Sequence, residues 1–246
     1  MRLDKNNTNK WSLYYLRMFA FYTCFFGANN NERNFIPPVP SLTHDCYYFT
    51  NNETTYERLL TTTWKRVFLV EGPTQLDSAM LAKYVKTCPH MLNELREYAA
   101  TCYFDSALKL DGNLVIQLIE NLVKLSSYSV CMARHPFISK TWLPSAHSEL
   151  REAILQPRYA VQQELYEAYI QEQVSSGLKD TDDIHFATGF IIRRNNMVSR
   201  AMNEVWWAHI CKTGILCQLS FFFVQQMFRE HIYDIEFGKY FSRWGY

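Results

Sequence analysis

A chain of 246 residues with 48% hydrophobic and 16% aromatic side chains, and only 8 Gly and 8 Pro, can bury a substantial core and is neither disordered nor fibrous by composition. Its 25 Lys and Arg nearly cancel its 24 Asp and Glu, so no broad basic field exists to hold nucleic acid without sequence preference. The 7 Cys are scattered, odd in number and without a CxxC pair, which argues against a zinc site and a disulfide framework; reduced thiols in a cytoplasmic setting are expected.

At the amino end, MRLDKNNTNKW is polar, and the LYYLRMFAFYTCFF that follows is broken by Arg17 well short of the roughly 20 apolar residues a membrane span needs. Neither a cleaved signal nor an integral membrane segment is expected, so the sequons at Asn6 and Asn52 carry little weight. The first strand is predicted in MFAFYTCFF (18 to 26), followed by a loop over 28 to 44 whose Asn and Pro content suits ligand contact in an α/β protein. Strands are predicted next in DCYYFT (45 to 50) and KRVFLVEG (65 to 72), then a helix in LDSAMLAKYVKTC that Pro89 ends.

A strand over ATCYFDSALKL (100 to 110) meets Asp111, Gly112 and Asn113, after which NLVIQLIENLVKL reads as a helix. YSVCMAR (128 to 134) is another strand. SELREAILQ and PRYAVQQELYEAYIQEQVSS are helical, with Pro157 suited to a start and Gly177 to a stop. The last strand is IHFATGFIIRR (184 to 194), before helices in VSRAMNEVWWAHICK and CQLSFFFVQQMFREH. Strands alternating with helices predict an α/β fold with a largely parallel sheet. One domain is expected over 1 to 246, with its core at about 18 to 228 and a helical extension from 229.

Asp-Gly-Asn is an ordinary turn sequence, in which Gly112 permits a tight bend and Asn113 caps the helix. The functional alternative has Asp111 at the carboxyl edge of a central strand, where with phosphate oxygens it would hold a hard divalent ion, Mn2+ or Mg2+. No GxSxG elbow supports a hydrolase, and no GxGxxG supports a Rossmann oxidoreductase.

The ordered segments FYTCFFG, DCYYFTNN, LAKYVKTCPH, LKLDGNL, ARHPF, TGFIIRRNN, NEVWWAHI and CQLSF resemble the mucilage-related, glycosyltransferase-like family, formerly a domain of unknown function. The resemblance covers roughly residues 18 to 228. It implies a GT-A-like, Rossmann-like fold with a mixed, mostly parallel sheet flanked by helices, a nucleotide-sugar donor, a glycan or glycoprotein acceptor and a divalent cation. UDP is the implied nucleotide, with UDP-xylose one candidate.

Position by position, it puts Tyr22, Thr23 and Gly27 against the nucleotide, Thr50 and Asn51 near the base, and Lys83 and Lys86 at the diphosphate. Core packing is the plainer role for Tyr22 and solvation the plainer role for the two lysines. Asp111 resembles a degenerate Asp-x-Asp metal motif with Lys109 in the first acidic place, beside Asn113. His135, next to Arg134, and one of Arg193 and Arg194 would reach sugar or phosphate. Trp206 and Trp207, near His209, are either core or a sugar platform.

Two departures bear on catalysis. Cys217 stands where family members carry an Asp before QLSF, and Ala187 where they tend to have an acid. The expected catalytic set is therefore drawn from Asp183, His185, Glu204, Cys217 and Gln218, with Asp234 also available as a base. The resulting expectation is a hexosyl- or pentosyltransferase; the alternative is an inactive relative that binds a nucleotide sugar or glycan.

Overall fold

Every residue of β1 (Phe19–Cys24) is buried, with Phe19 and Phe21 on one side and Ala20, Tyr22 and Cys24 on the other, as a central strand covered on both faces requires. The computed structural model describes residues 18–27, 36–70, 76–125, 127–136 and 144–243; the polar amino end with Asn6, residues 28–35 of the long loop, and Phe137 lie outside them. β1 belongs to a seven-stranded sheet of order β3-β2-β1-β4-β7-β6-β8. Its other members are β2 (Asp45–Thr50), β3 (Lys65–Phe68), β4 (Ala100–Phe104), β6 (Val130–Arg134), β7 (Phe186–Arg194) and β8 (Ile232–Ile235). β5 (Leu108–Leu110) and β9 (Phe241–Arg243) form a separate antiparallel pair. In the main sheet β7 pairs antiparallel with β4 and β6 while every other pair is parallel, so β7 alone runs against the rest.

Asn52 caps the short α1 (Glu53–Arg58), its side chain accepting from the Thr55 amide at 2.8 Å. On the Tyr22 face of the sheet lie α2 (Ser78–Thr87), α7 (Met197–Thr213) and α8 (Cys217–Met227), which bury Leu81, Val85, Trp206 and Phe221 there. The Phe21 face is covered by α3 (Gly112–Leu125) and the β5–β9 pair. A third apolar cluster joins α4 (Ala146–Ala153), α5 (Pro157–Ala160) and α6 (Gln163–Ser175) to Leu219, Phe222 and Phe223 of α8. The α/β class and the mostly parallel sheet are as the alternation of patterns predicts. Among the described residues, no helix is long and apolar enough to cross a membrane.

Three expectations need correction. The strand predicted over 100 to 110 is two strands in two sheets: the Asp105 amide donates to the Gly189 carbonyl at 2.8 Å, and the Leu108 amide then closes a turn onto the Asp105 carbonyl at 2.9 Å. The helix predicted over 157 to 176 breaks between α5 and α6. The chain beyond 229 is no helical extension: after one 3-10 turn it supplies β8 to the sheet edge, with Ile232 and Ile235 buried, and β9 beside β5.

Candidate functional site

With β7 reversed, the carboxyl ends of β1, β4 and β6 and the amino end of β7 meet at one edge of the sheet. There a cleft of about 670 Å³ opens, walled by α2, the first turn of α8, and α5. Among the described residues its lining holds four basic side chains, Lys83, Lys86, Arg158 and Arg243, against one carboxylate, Asp105. Such a balance suits an anionic ligand.

α2 builds the basic wall. Asp77 caps it by accepting from the Met80 amide at 2.8 Å, and Leu81 and Val85 lock it onto the sheet. Lys83 and Lys86, three residues apart, then share the helix face turned to the cleft. Lys86 is only 4% exposed. Its ammonium donates to Thr188 Oγ1 at 3.2 Å, lies 3.5 Å from Asp105 Oδ1, and sits 5.3 Å from the Tyr103 ring centre. Asp105 also accepts from the Tyr103 hydroxyl at 2.6 Å, while 46% of its side chain stays accessible from the cleft. Packing around Asp105 works against ionisation, but the Lys86 charge, the Tyr103 hydrogen bond and the Lys83 charge outweigh it and hold the carboxyl below its ordinary value.

The opposite wall starts at β7. Gln218 Oε1 accepts from both the amide and the hydroxyl of Thr188 at 2.9 Å, and its Nε2 donates to the Phe186 carbonyl, so the first turn of α8 is clamped to the strand. Beside it, burial pushes the Cys217 thiol up, but Lys83 and Lys86 together outweigh burial and hold it below the usual thiol value. Behind this wall His185 is fully buried, its Nε2 lying 3.0 Å from Glu149 Oε2 and 3.0 Å from Gln218 Nε2. The His185 ring stacks at 5.4 Å on His135, which does line the cleft. Burial lowers the His135 imidazole to about 4, keeping it neutral near pH 7.

Of the expected site residues, Lys83, Lys86, His135, Cys217 and Gln218 line this cleft. Gly27 and Asn51 are outside the lining but next to one of its residues: Asn51 Oδ1 accepts from the Gly27 amide at 2.9 Å, and its Nδ2 donates to Ser78 Oγ at 3.0 Å. Tyr22, Thr23 and Thr50 are fully buried instead, with the Tyr22 hydroxyl donating to the Lys86 carbonyl at 3.2 Å.

Arg193 is a correction with a topological cause. Because β7 is reversed, its carboxyl end lies at the far edge of the sheet, and Arg193 turns inward to Asn203 Oδ1 at 2.9 Å and the Tyr22 hydroxyl at 3.3 Å. Asp111 and Asn113 are likewise elsewhere, exposed at the start of α3. Asp111 Oδ1 accepts from the Leu114 amide at 3.1 Å, because the strand it follows is β5 rather than β4. His185 is not among the described lining residues and lies fully buried against His135 and Gln218. Asp183 is exposed before β7, and Glu204, 69% exposed on α7, lies 3.7 Å from His90. Asp234 is bound by Arg134. Trp206 is core, donating to Ser220 Oγ at 3.0 Å, and Trp207 packs on Tyr84.

Sequence reasoning missed Asp105, Thr188, Arg158 and Tyr159. The one signal for Asp105 was the polar Asp-Ser pair interrupting an apolar run.

These residues do not fit a resident Mn2+ or Mg2+. Hard cations gather oxygen ligands, preferably carboxylates. Among the described residues the cleft offers one carboxylate, already engaged by Tyr103 and faced by an ammonium. Among the described residues, no group of three or more His, Cys, Asp or Glu is placed to hold a metal ion.

No protein-family model matches the chain, and no curated protein matches it. Solved structures similar to it include the apo form of mouse xyloside xylosyltransferase 1, at 13% identity over 88% of this chain and 84% of that one, with a TM-score of 0.46. A second is the glycosyltransferase GlyE of Streptococcus pneumoniae TIGR4, at 12% identity over 88% of this chain and 45% of that one, with a TM-score of 0.45. A third is the 4-diphosphocytidyl-2C-methyl-D-erythritolsynthase of Anaerococcus prevotii DSM 20548, at 10% identity over 89% and 87%, with a TM-score of 0.46. This chain spans under half the length of GlyE. At this depth of likeness the weight falls on the chemistry of the cleft.

Proposed function

We propose that the cleft binds the diphosphate of a nucleotide sugar, and that the chain is a GT-A-like glycosyltransferase passing that sugar to a glycan hydroxyl. The observation that carries this reading is the lysine pair on one face of α2, projecting into a cleft of about 670 Å³ with a single carboxylate among its described lining residues. Glycosyl transfer leaves a nucleoside diphosphate behind, and fixed positive charge aimed at that leaving group lowers the barrier. Lys83 and Lys86 supply the charge, Asp105 and Thr188 hold Lys86 in place, and Gln218 fixes the β7 wall. For the proton of the acceptor hydroxyl, the cleft offers His135 and Asp105. The ordered motifs quoted above support placing the chain near the mucilage-related family, with a UDP-sugar as donor and UDP-xylose among the candidates.

A second reading, a relative that binds nucleotide sugar without turnover, is favoured by one observation. Cys217 and Ala187 line the cleft where the resembled family carries acids, and Asp105 is engaged by Lys86. A panel of nucleotide sugars assayed for donor hydrolysis and transfer, alongside UDP binding, separates the two. Turnover of any donor supports the transferase; UDP binding with none across the panel supports the second reading. No binding of any nucleotide diphosphate would remove both.

A further inference from the structure

We infer that Lys86 and Lys83 take the place of the divalent cation at this site, so that the nucleoside diphosphate binds without metal. This rests on the reading that the cleft holds such a diphosphate. Lys86 is held where a cation would be needed: nearly buried, it sits over Asp105 at 3.5 Å, is fixed by Thr188 at 3.2 Å, and is floored by the Tyr103 ring. An ammonium has three N–H donors, so with Asp105 and Thr188 served, one remains for a phosphate oxygen. Lys83, one turn earlier on the same face and only half buried, reaches the same space, close enough for both to engage one diphosphate.

A divalent ion approaching Asp105 would meet the Lys86 charge across a few ångströms of protein, with no second carboxylate among the described lining residues to compensate. The arrangement thus gives Asp105 a positioning role. It holds the ammonium in place, rather than gripping a metal.

The test is calorimetric titration of UDP and of inorganic pyrophosphate into the full chain, once in excess EDTA and once in excess Mn2+. The UDP Kd is expected to agree between the two within about threefold, and weakening by more than about tenfold in EDTA overturns the inference. Lys86→Gln is expected to lose about tenfold or more in UDP affinity in EDTA, and an unchanged affinity would count against the ammonium. Should that variant fail to fold, Lys83→Gln, at a half-buried position, carries the same expectation and the same contrary outcome. Binding that appears only with Mn2+ removes the inference and leaves the nucleotide reading standing. Failure of both ligands to bind in either condition removes the nucleotide reading and this inference with it.

Discussion

Asp105 and Asp111 lie close in sequence and have unlike surroundings: Asp105 faces Lys86 in the cleft, whereas Asp111 accepts from the Leu114 amide at the start of α3. Asp111→Ala should therefore cost about 1 kcal/mol in urea unfolding, the usual loss for a helix cap, and leave UDP affinity unchanged. Asp105→Asn strips the nearly buried Lys86 ammonium of its counter-charge, so it should lower the thermal midpoint more than Asp111→Asn does. Equal midpoints for the two variants would contradict this division of labour. Gly189 matters for the same carboxylate, since a Cβ there would come within 2.9 Å of Asp105 Oδ2. Asp105 would have to turn away from Lys86 and Tyr103, so Gly189→Ala should both weaken UDP binding and lower stability; calorimetry beside a urea melt checks both halves.

At the level of elements, the start of α3 can lie against Pro40 because Gly112 has no side chain. A Cβ there would lie 1.8 Å from the Pro40 carbonyl oxygen, a backbone atom that cannot step aside cheaply. Gly112→Ala should therefore cost about 1–3 kcal/mol of unfolding free energy as an overpacking change, measured by chemical denaturation. The Asp-Gly-Asn triplet is thus structural, though not as expected: Asp111 rather than Asn113 caps the helix, Asn113 lies within it, and Gly112 serves a close approach to Pro40. Strands and helices were legible in the sequence because buried aromatic runs and 3.6-residue periodicity mark them wherever they occur. Strand direction was not, since a reversed β7 has the same alternation as a parallel one. That hid the burial of Arg193 and the arrival of Thr188 in the cleft. The break at Asp105 was hidden too, because Asp-Ser-Ala contains no Gly or Pro to mark the point where β4 leaves the sheet. Lys83 and Lys86 came from the family resemblance, with solvation as their plainer role; their three-residue spacing then gives them a shared face on the helix.

Across the whole molecule, burial pushes His44, His90, His135 and His209 below the usual imidazole value, His135 to about 4. A histidine of this kind binds its proton more readily once the chain unfolds, so between its folded value and the unfolded one near 6.5 the unfolded state holds more protons. Stability should be fully present above about pH 6.5 and fall steadily as the pH drops toward about 4, which urea midpoints across that range would show. A flat profile would mean these rings are not held neutral. Asp105 acts in a lower window. Its depressed carboxyl contributes stability that is present above the unfolded value and is lost as the pH falls through the folded one. The central claim, that the sheet's carboxyl edge receives a nucleoside diphosphate on the lysines of α2, is tested most directly by a crystal structure of the protein with UDP. Phosphate oxygens are expected within hydrogen-bonding distance of Lys83 and Lys86, with Asp105 still against Lys86; UDP seated elsewhere, or its phosphates turned away from α2, would contradict that claim.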